Sequence, residues 1–138
     1  MREQPESIAF LGGGVISAEL GQTLARFGSK VSIIDRNSRI LSVVDPEVAN
    51  YLTNIFSQMG IELITDAEAK VCSINSHGEV CLEVESDNKP DTLTADQLFV
   101  AIGRVPNIIG LALENAGIDY TRHRVTVDEE LRTSVQHI

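Results

Sequence analysis

The chain has 138 residues and a mass of 15.0 kDa, enough for one ordinary domain with a buried core and too few for two. Hydrophobic residues make up 43% and charged residues 22%, which is a globular composition, and no apolar run approaches the ~20 residues that cross a bilayer. The formal net charge of -9 argues against nucleic acid as the main partner, because that affinity draws on Lys and Arg neutralising phosphates.

The opening MREQPESIAF has no basic region followed by an apolar run and a cleavage site, so the expectation is a cytoplasmic protein without a membrane partner. Ser7 to Leu11 is a short apolar run ending at Gly12-Gly13-Gly14, the pattern of a buried strand feeding a tight turn. A helix is expected from Val15 to Phe27, with Ile16, Leu20 and Leu24 recurring every four residues and Gly28 as its stop. Val31 to Ile34 is a second strand, ending at Asp35.

Asp45-Pro46-Glu47 carries three helix-start signals: a side chain that can accept a backbone N–H, a proline suited to the first turn, and an acid at the positive end. Val48, Leu52, Ile55, Phe56 and Met59 form the expected inner stripe, and Gly60 ends the helix before a strand at Ile61 to Ile64. This β-α-β-α-β order implies a parallel sheet with right-handed crossovers.

The period then changes to two. Lys70 to Ile74 and Glu79 to Glu85 alternate around a two-residue turn at His77-Gly78, and Asp91 to Thr94 adds a third strand after the turn-like Asp87-Asn88-Lys89-Pro90. On that register Cys81 faces Ile74 and is a diagonal neighbour of Cys72, roughly 7 to 8 Å away and beyond easy disulfide reach. Both cysteines are expected to be small, buried or half-buried side chains. Gln97 to Ile102 returns to a continuous apolar run, so a three-stranded antiparallel insertion replaces a crossover helix before the chain rejoins the parallel sheet. A short helix around Leu111 to Ala116 and an extended piece near Val125 to Val127 follow. The fold class is therefore α/β, a Rossmann-like parallel sheet with an antiparallel meander.

Gly12-x-Gly14-x-x-Ser17 matches the dinucleotide pattern G-x-G-x-x-G/A, with serine as the third small residue. The first glycine allows the tight turn, the second lets backbone approach a pyrophosphate, and the third position must be small where helix packs on strand. Val15, Ile16 and Ser17 open the helix, whose unpaired N–H groups and partial positive charge can hold phosphate without a lysine. Asp35 lies 21 residues after Gly14, where an acid can accept the ribose hydroxyls of NAD and repel a 2′-phosphate. Arg36, beside it, keeps NADP as the alternative, since a guanidinium can receive that phosphate.

These residues, with GSKVSIIDRNSRIL, LALENAGI, LRTSVQHI and above all Ala101-Ile102-Gly103-Arg104-Val105-Pro106-Asn107, resemble the pyridine nucleotide-disulfide oxidoreductases. That flavoprotein family includes dihydrolipoamide dehydrogenase, glutathione reductase and mercuric reductase. The resemblance implies an NAD(P)H-binding domain that presents nicotinamide to FAD held by other domains of a longer, homodimeric enzyme. It places Gly12, Gly14 and Ser17 at the pyrophosphate, Asp35 and Arg36 at the ribose, and Gly103 beside the dinucleotide. Val15 takes the position of an aromatic lid in some relatives, and Glu19 matches a glutamate that pairs with a lysine of the FAD domain. Arg104 and Asn107 are assigned to the loop and domain interface. Ser42 stands where NADP-specific relatives carry a second arginine, which favours NAD.

The resemblance also implies that the first FAD segment and a redox-active C-x-x-x-x-C precede Ser7 and that a second FAD motif follows Ile138. The expectation is a single domain over residues 1–138, with no metal, no turnover on its own, and an exposed apolar face where the other domains pack. A non-catalytic dinucleotide sensor is the alternative, but it has no need of AIGRVPN or the antiparallel insertion.

Overall fold

A computed structural model describes residues 3–86 and 89–138, so the Asp87-Asn88 part of the expected turn lies outside the described residues. The chain forms two compact units, Met1–Gly103 and Arg104–Ile138. In the first, strands β1 (Ser7–Leu11), β2 (Lys30–Ile34), β3 (Glu62–Ile64) and β7 (Gln97–Val100) make a parallel sheet in the order β3-β2-β1-β7. Helices α1 (Val15–Arg26) and α2 (Pro46–Gln58) are the crossovers between the first three strands. Strands β4 (Ala67–Ile74), β5 (Val80–Ser86) and β6 (Lys89–Ala95) form the antiparallel meander between β3 and β7. A reciprocal clasp fixes the return: Ser7 N–H donates to Asp96 Oδ2 at 2.8 Å, and Asp96 N–H to Ser7 Oγ at 3.0 Å.

The period-two pleat sends alternate residues of β1 and β2 to opposite faces, and both faces are buried. Ile8, Phe10, Val31 and Ile33 pack with Ala18, Ala49 and Phe56 of the helices, while Ala9 and Ile34 pack with Leu82, Val84 and Ala95 of the meander. The central strands therefore read as continuous apolar runs because they lie in the middle of three layers.

α1 packs by its small residues. Ser17, Ala18 and Gly21 are its buried positions, whereas Ile16 and Leu20 of the expected stripe are exposed at 44% and 41%. A Cβ on Gly21 would lie 3.4 Å from both Ile33 Cδ1 and Val31 Cγ1, so the helix approaches the sheet too closely for larger groups there. In α2 the same substitution of small for large occurs at one end: Ala49 is buried and Val48 half exposed. Asp45 caps this helix as expected, its carboxylate accepting the Glu47 N–H at 2.8 Å.

The β4–β5 turn is longer than two residues. Ile74 pairs with Val80, Ser73 with Cys81 and Cys72 with Leu82, while Asn75 N–H bonds to Glu79 O across the loop. This one-residue shift moves Cys81 opposite Ser73, so pleat alternation points Cys72 and Cys81 to opposite faces. Neither is in a disulfide, and Cys72 is exposed rather than buried. A bulge between Ala69 and Val71 breaks the register further along β4.

The second unit holds the expected short helix as a 3-10 turn (Leu113–Ala116), and a two-stranded ribbon of β8 (Tyr120–Thr121) and β9 (Arg124–Val125). Ser134 knits it by accepting from Asp119 N–H and donating to Gly117 O, each at 2.9 Å.

Candidate functional site

The turn between β1 and α1 is built against the ends of three strands. Gly12 N–H donates to Ile34 O at 2.8 Å, and Gly12 has φ +101, a left-handed conformation costly for any residue with a Cβ. A Cβ there would also lie 2.5 Å from Ala101 O, just past β7. Gly13, the position that the motif leaves free, is the most enclosed of the three. Its N–H donates to Asp35 Oδ2, its carbonyl accepts the Leu41 N–H at 2.7 Å, and a Cβ would meet Ile40 Cγ2 at 2.9 Å.

Gly14 differs from both. It is the N-cap of α1, with φ -80, and a Cβ on it would meet nothing within 4 Å. No acidic residue stands in the first turn of α1 and no side chain caps it. Its leading N–H groups therefore have no side-chain cap, and the space beside Gly14 is open, an arrangement that attracts an anion. Ser17 lies beneath, wholly buried, with Oγ donating to the Gly12 carbonyl. The third small position thus holds the turn from inside.

Gly12, Gly14, Asp35, Arg36 and Gly103 line one cleft of about 500 Å³ at the carboxyl ends of β1, β2 and β7. A cleft outside strand ends is where open α/β sheets generally take ligands. Val15, Ile16 and Glu19 are exposed on α1 and outside its lining, although Val15 and Ile16 continue from the turn. Together with Leu20 they leave an apolar strip on the helix surface.

Asp35 is more heavily engaged than its place at a strand end suggests. Besides the Gly13 N–H it accepts both the backbone and side-chain N–H of Asn37, each at 2.7 Å. A carboxylate offers about four lone-pair sites, so room remains for a ribose hydroxyl. Asn37 was not singled out from the sequence, although an Asp followed two residues later by a polar residue is a turn signature.

The meander supplies the wall that sequence reasoning missed. Ala67 N–H donates to Asp35 O at 3.0 Å and Asp66 N–H to Asn37 O at 2.9 Å, which brings Glu68 to the cleft beside Arg36. Lys70 pairs with Glu68 at 2.5 Å and Glu85 at 3.4 Å. Its hydrogen bond and then its charge hold the Glu68 carboxyl below the usual range, with a smaller pull from Arg36, and Lys70 is raised in turn chiefly by Glu68. Arg39, near Ser42, is occupied with the Ser42 and Val44 carbonyls at 2.9 and 3.2 Å.

Arg104 and Asn107 belong to the second unit and are exposed there. Among the described residues, no group of three or more His, Cys, Asp or Glu side chains is placed to hold a metal ion, and no helix is long and apolar enough to cross a membrane.

Parallel sheet, glycine turn and antiparallel meander define a Rossmann-like α/β protein. The family model described as pyridine nucleotide-disulphide oxidoreductase matches residues 1–138, and the chain belongs to that family. It is 37% identical over 137 residues to a dihydrolipoyl dehydrogenase of Geobacillus stearothermophilus, covering 99% of this chain and 29% of that protein. The mitochondrial dihydrolipoyl dehydrogenase of Schizosaccharomyces pombe is 34% identical, covering 100% of this chain and 27% of that protein. Among solved structures, the HOCl-induced flavoprotein disulfide reductase RclA from Escherichia coli superposes with a TM-score of 0.81 at 32% identity, over 99% of this chain and 30% of its own. The chain thus spans less than a third of the length of these relatives.

Proposed function

We propose that this chain is the NAD(H)-binding domain of an FAD-dependent oxidoreductase resembling dihydrolipoamide dehydrogenase. The observation that carries the reading is the open Gly14 at the start of α1, on the same cleft as Gly12, Asp35 and Gly103. The pyrophosphate is assigned to Gly12, Gly14 and the first N–H groups of α1, from Val15 to Ser17. The ribose of the adenosine half is assigned to the remaining acceptor site of Asp35. The sequence run from Val15 through Ile16 to Glu19 then falls to the nicotinamide half and to the neighbouring flavin-binding domain, with Glu19 offering a carboxylate to a lysine there.

A reduced nicotinamide supplies hydride, and a flavin is the acceptor this family membership suggests. The chain's own residues bind and orient the dinucleotide. In the longer homodimeric protein that this reading implies, the exposed strip of Val15, Ile16 and Leu20 is the surface assigned to the flavin domain. NAD is favoured over NADP because the carboxylates Asp35 and Glu68 line the cleft with Arg36, Lys70 outside the lining is shared between Glu68 and Glu85, and Ser42 offers no charge.

Calorimetric titration with NADH and NADPH tests the reading. NADH should bind more tightly, and Gly14→Ala should weaken binding at least tenfold while the chain stays folded. The 138-residue chain alone should bind NADH without oxidising it. No binding of either cofactor, or NADPH preferred, would overturn the assignment.

A further inference from the structure

Arg36 is the one residue at the ribose end that argues for a 2′-phosphate, and the structure sets a specific counterweight beside it. The backbone bonds from Ala67 to Asp35 and from Asp66 to Asn37 pin the start of β4 to the residues on either side of Arg36. Glu68 follows on that strand and lines the cleft with Arg36 and Asp35. It is also fixed from its other side, by the Lys70 ammonium that bridges Glu68 and Glu85. Arg36 and Lys70 are balanced by Glu68 and Glu85, which leaves Asp35 as the net negative charge of the group.

We infer that Glu68 is a specificity determinant for the dinucleotide, acting through Arg36: its carboxylate offsets the guanidinium and, with Asp35, makes the ribose end unfavourable for a 2′-phosphate. Glu68 is a positioning residue in this role, because it acts on the field around Arg36 from the wall of the same cleft rather than touching the reacting atoms. The inference rests on the cleft being the dinucleotide site. It also explains how one chain can carry an arginine after the strand-end acid and still select NAD. Repulsion between a carboxylate and a phosphate dianion at an exposed site is modest and screened by salt, which sets the scale of the effect.

The test is calorimetric titration of the full 138-residue chain with NADH, NADPH, 5′-AMP and 2′,5′-ADP. Glu68→Gln should tighten NADPH and 2′,5′-ADP roughly three- to tenfold at low salt while NADH and 5′-AMP move by less than about twofold, and the gain should shrink as salt rises. Glu68→Asp should retain the original preference. The double variant Glu68→Gln with Arg36→Ala should show no gain, which a general loss of negative charge would not predict. Unchanged NADPH affinity in Glu68→Gln, or the same gain without Arg36, would overturn the inference alone. A wild-type chain that binds none of the four ligands would overturn the dinucleotide reading and this inference with it. Glu68 is exposed, so its substitution leaves the core intact and circular dichroism should show an unchanged fold.

Discussion

Asp35 accepts a 2.5 Å hydrogen bond from the amide of Gly13, 22 residues earlier in the chain. The acid that the dinucleotide reading assigns to ribose therefore also fastens the glycine turn to the end of β2. Asp35→Ala removes the acceptor for Gly13 and for both Asn37 donors, and should cost about 1 to 3 kcal/mol of stability in urea denaturation. Loss of NADH binding by that variant would then report the damaged turn as much as the missing ribose contact. An unchanged midpoint would show that the clasp contributes nothing.

The three glycines should separate stability from binding. Gly12→Ala puts a Cβ on a residue with φ +101 and drives it against Ala101 O, and Gly13→Ala drives one against Ile40. Each should destabilise by roughly 1 to 3 kcal/mol, read from thermal or denaturant unfolding. Gly14→Ala meets no atom and has an ordinary φ, so its stability should change by less than about 1 kcal/mol. Its NADH affinity should nevertheless fall at least tenfold, because the added methyl stands where backbone must approach phosphate. A Gly14→Ala chain that binds NADH normally would remove the pyrophosphate from this turn.

The strand and helix order was legible because period and punctuation agreed: the run Ser7 to Leu11, the glycine turn, and the Asp45-Pro46-Glu47 start each became the element expected. Which face of α1 packs was not legible from hydrophobicity. Close helix-to-sheet approach selects Ser17, Ala18 and Gly21 by size, while Ile16 and Leu20 remain outside. The hairpin failed at its turn, where Asn75 closes a longer loop than His77-Gly78 alone and the one-residue slip put the two cysteines on opposite faces. Gly12, Gly14, Asp35 and Arg36 came from a motif with a mechanism. Asn37 had a local signal in its spacing from Asp35, whereas Glu68 reaches the same cleft through the Ala67-to-Asp35 and Asp66-to-Asn37 backbone bonds between distant segments, which carry none.

Asp45 caps α2 through a bond to Glu47 N–H and takes no part in the cleft. Asp45→Ala should therefore lower stability by about 1 kcal/mol and leave nucleotide affinity unchanged. Denaturation and titration on the same sample check both halves; a change in affinity would mean that α2 reports on the site.

In the second unit, Asp128 Oδ1 accepts the backbone N–H of Glu130 and of Arg132, each at 2.9 Å, and Oδ2 accepts Arg132 Nε at 3.2 Å. The Arg132 backbone bond is the largest cause holding its carboxyl below the ordinary value of 3.8. A carboxyl lowered in the folded chain binds its proton more weakly there than in the unfolded chain, so the bonds contribute fully above pH 3.8 and fade as pH falls through the lower folded value. The protection of the Glu130 and Arg132 amides, taken relative to the intrinsic exchange rate at each pH, should fall over that acid range. Asp128→Ala should lower that protection already at neutral pH, because it removes the one oxygen that accepts both amides. Protection that is indifferent to both changes would show that the 128–132 turn is held by its backbone bonds alone.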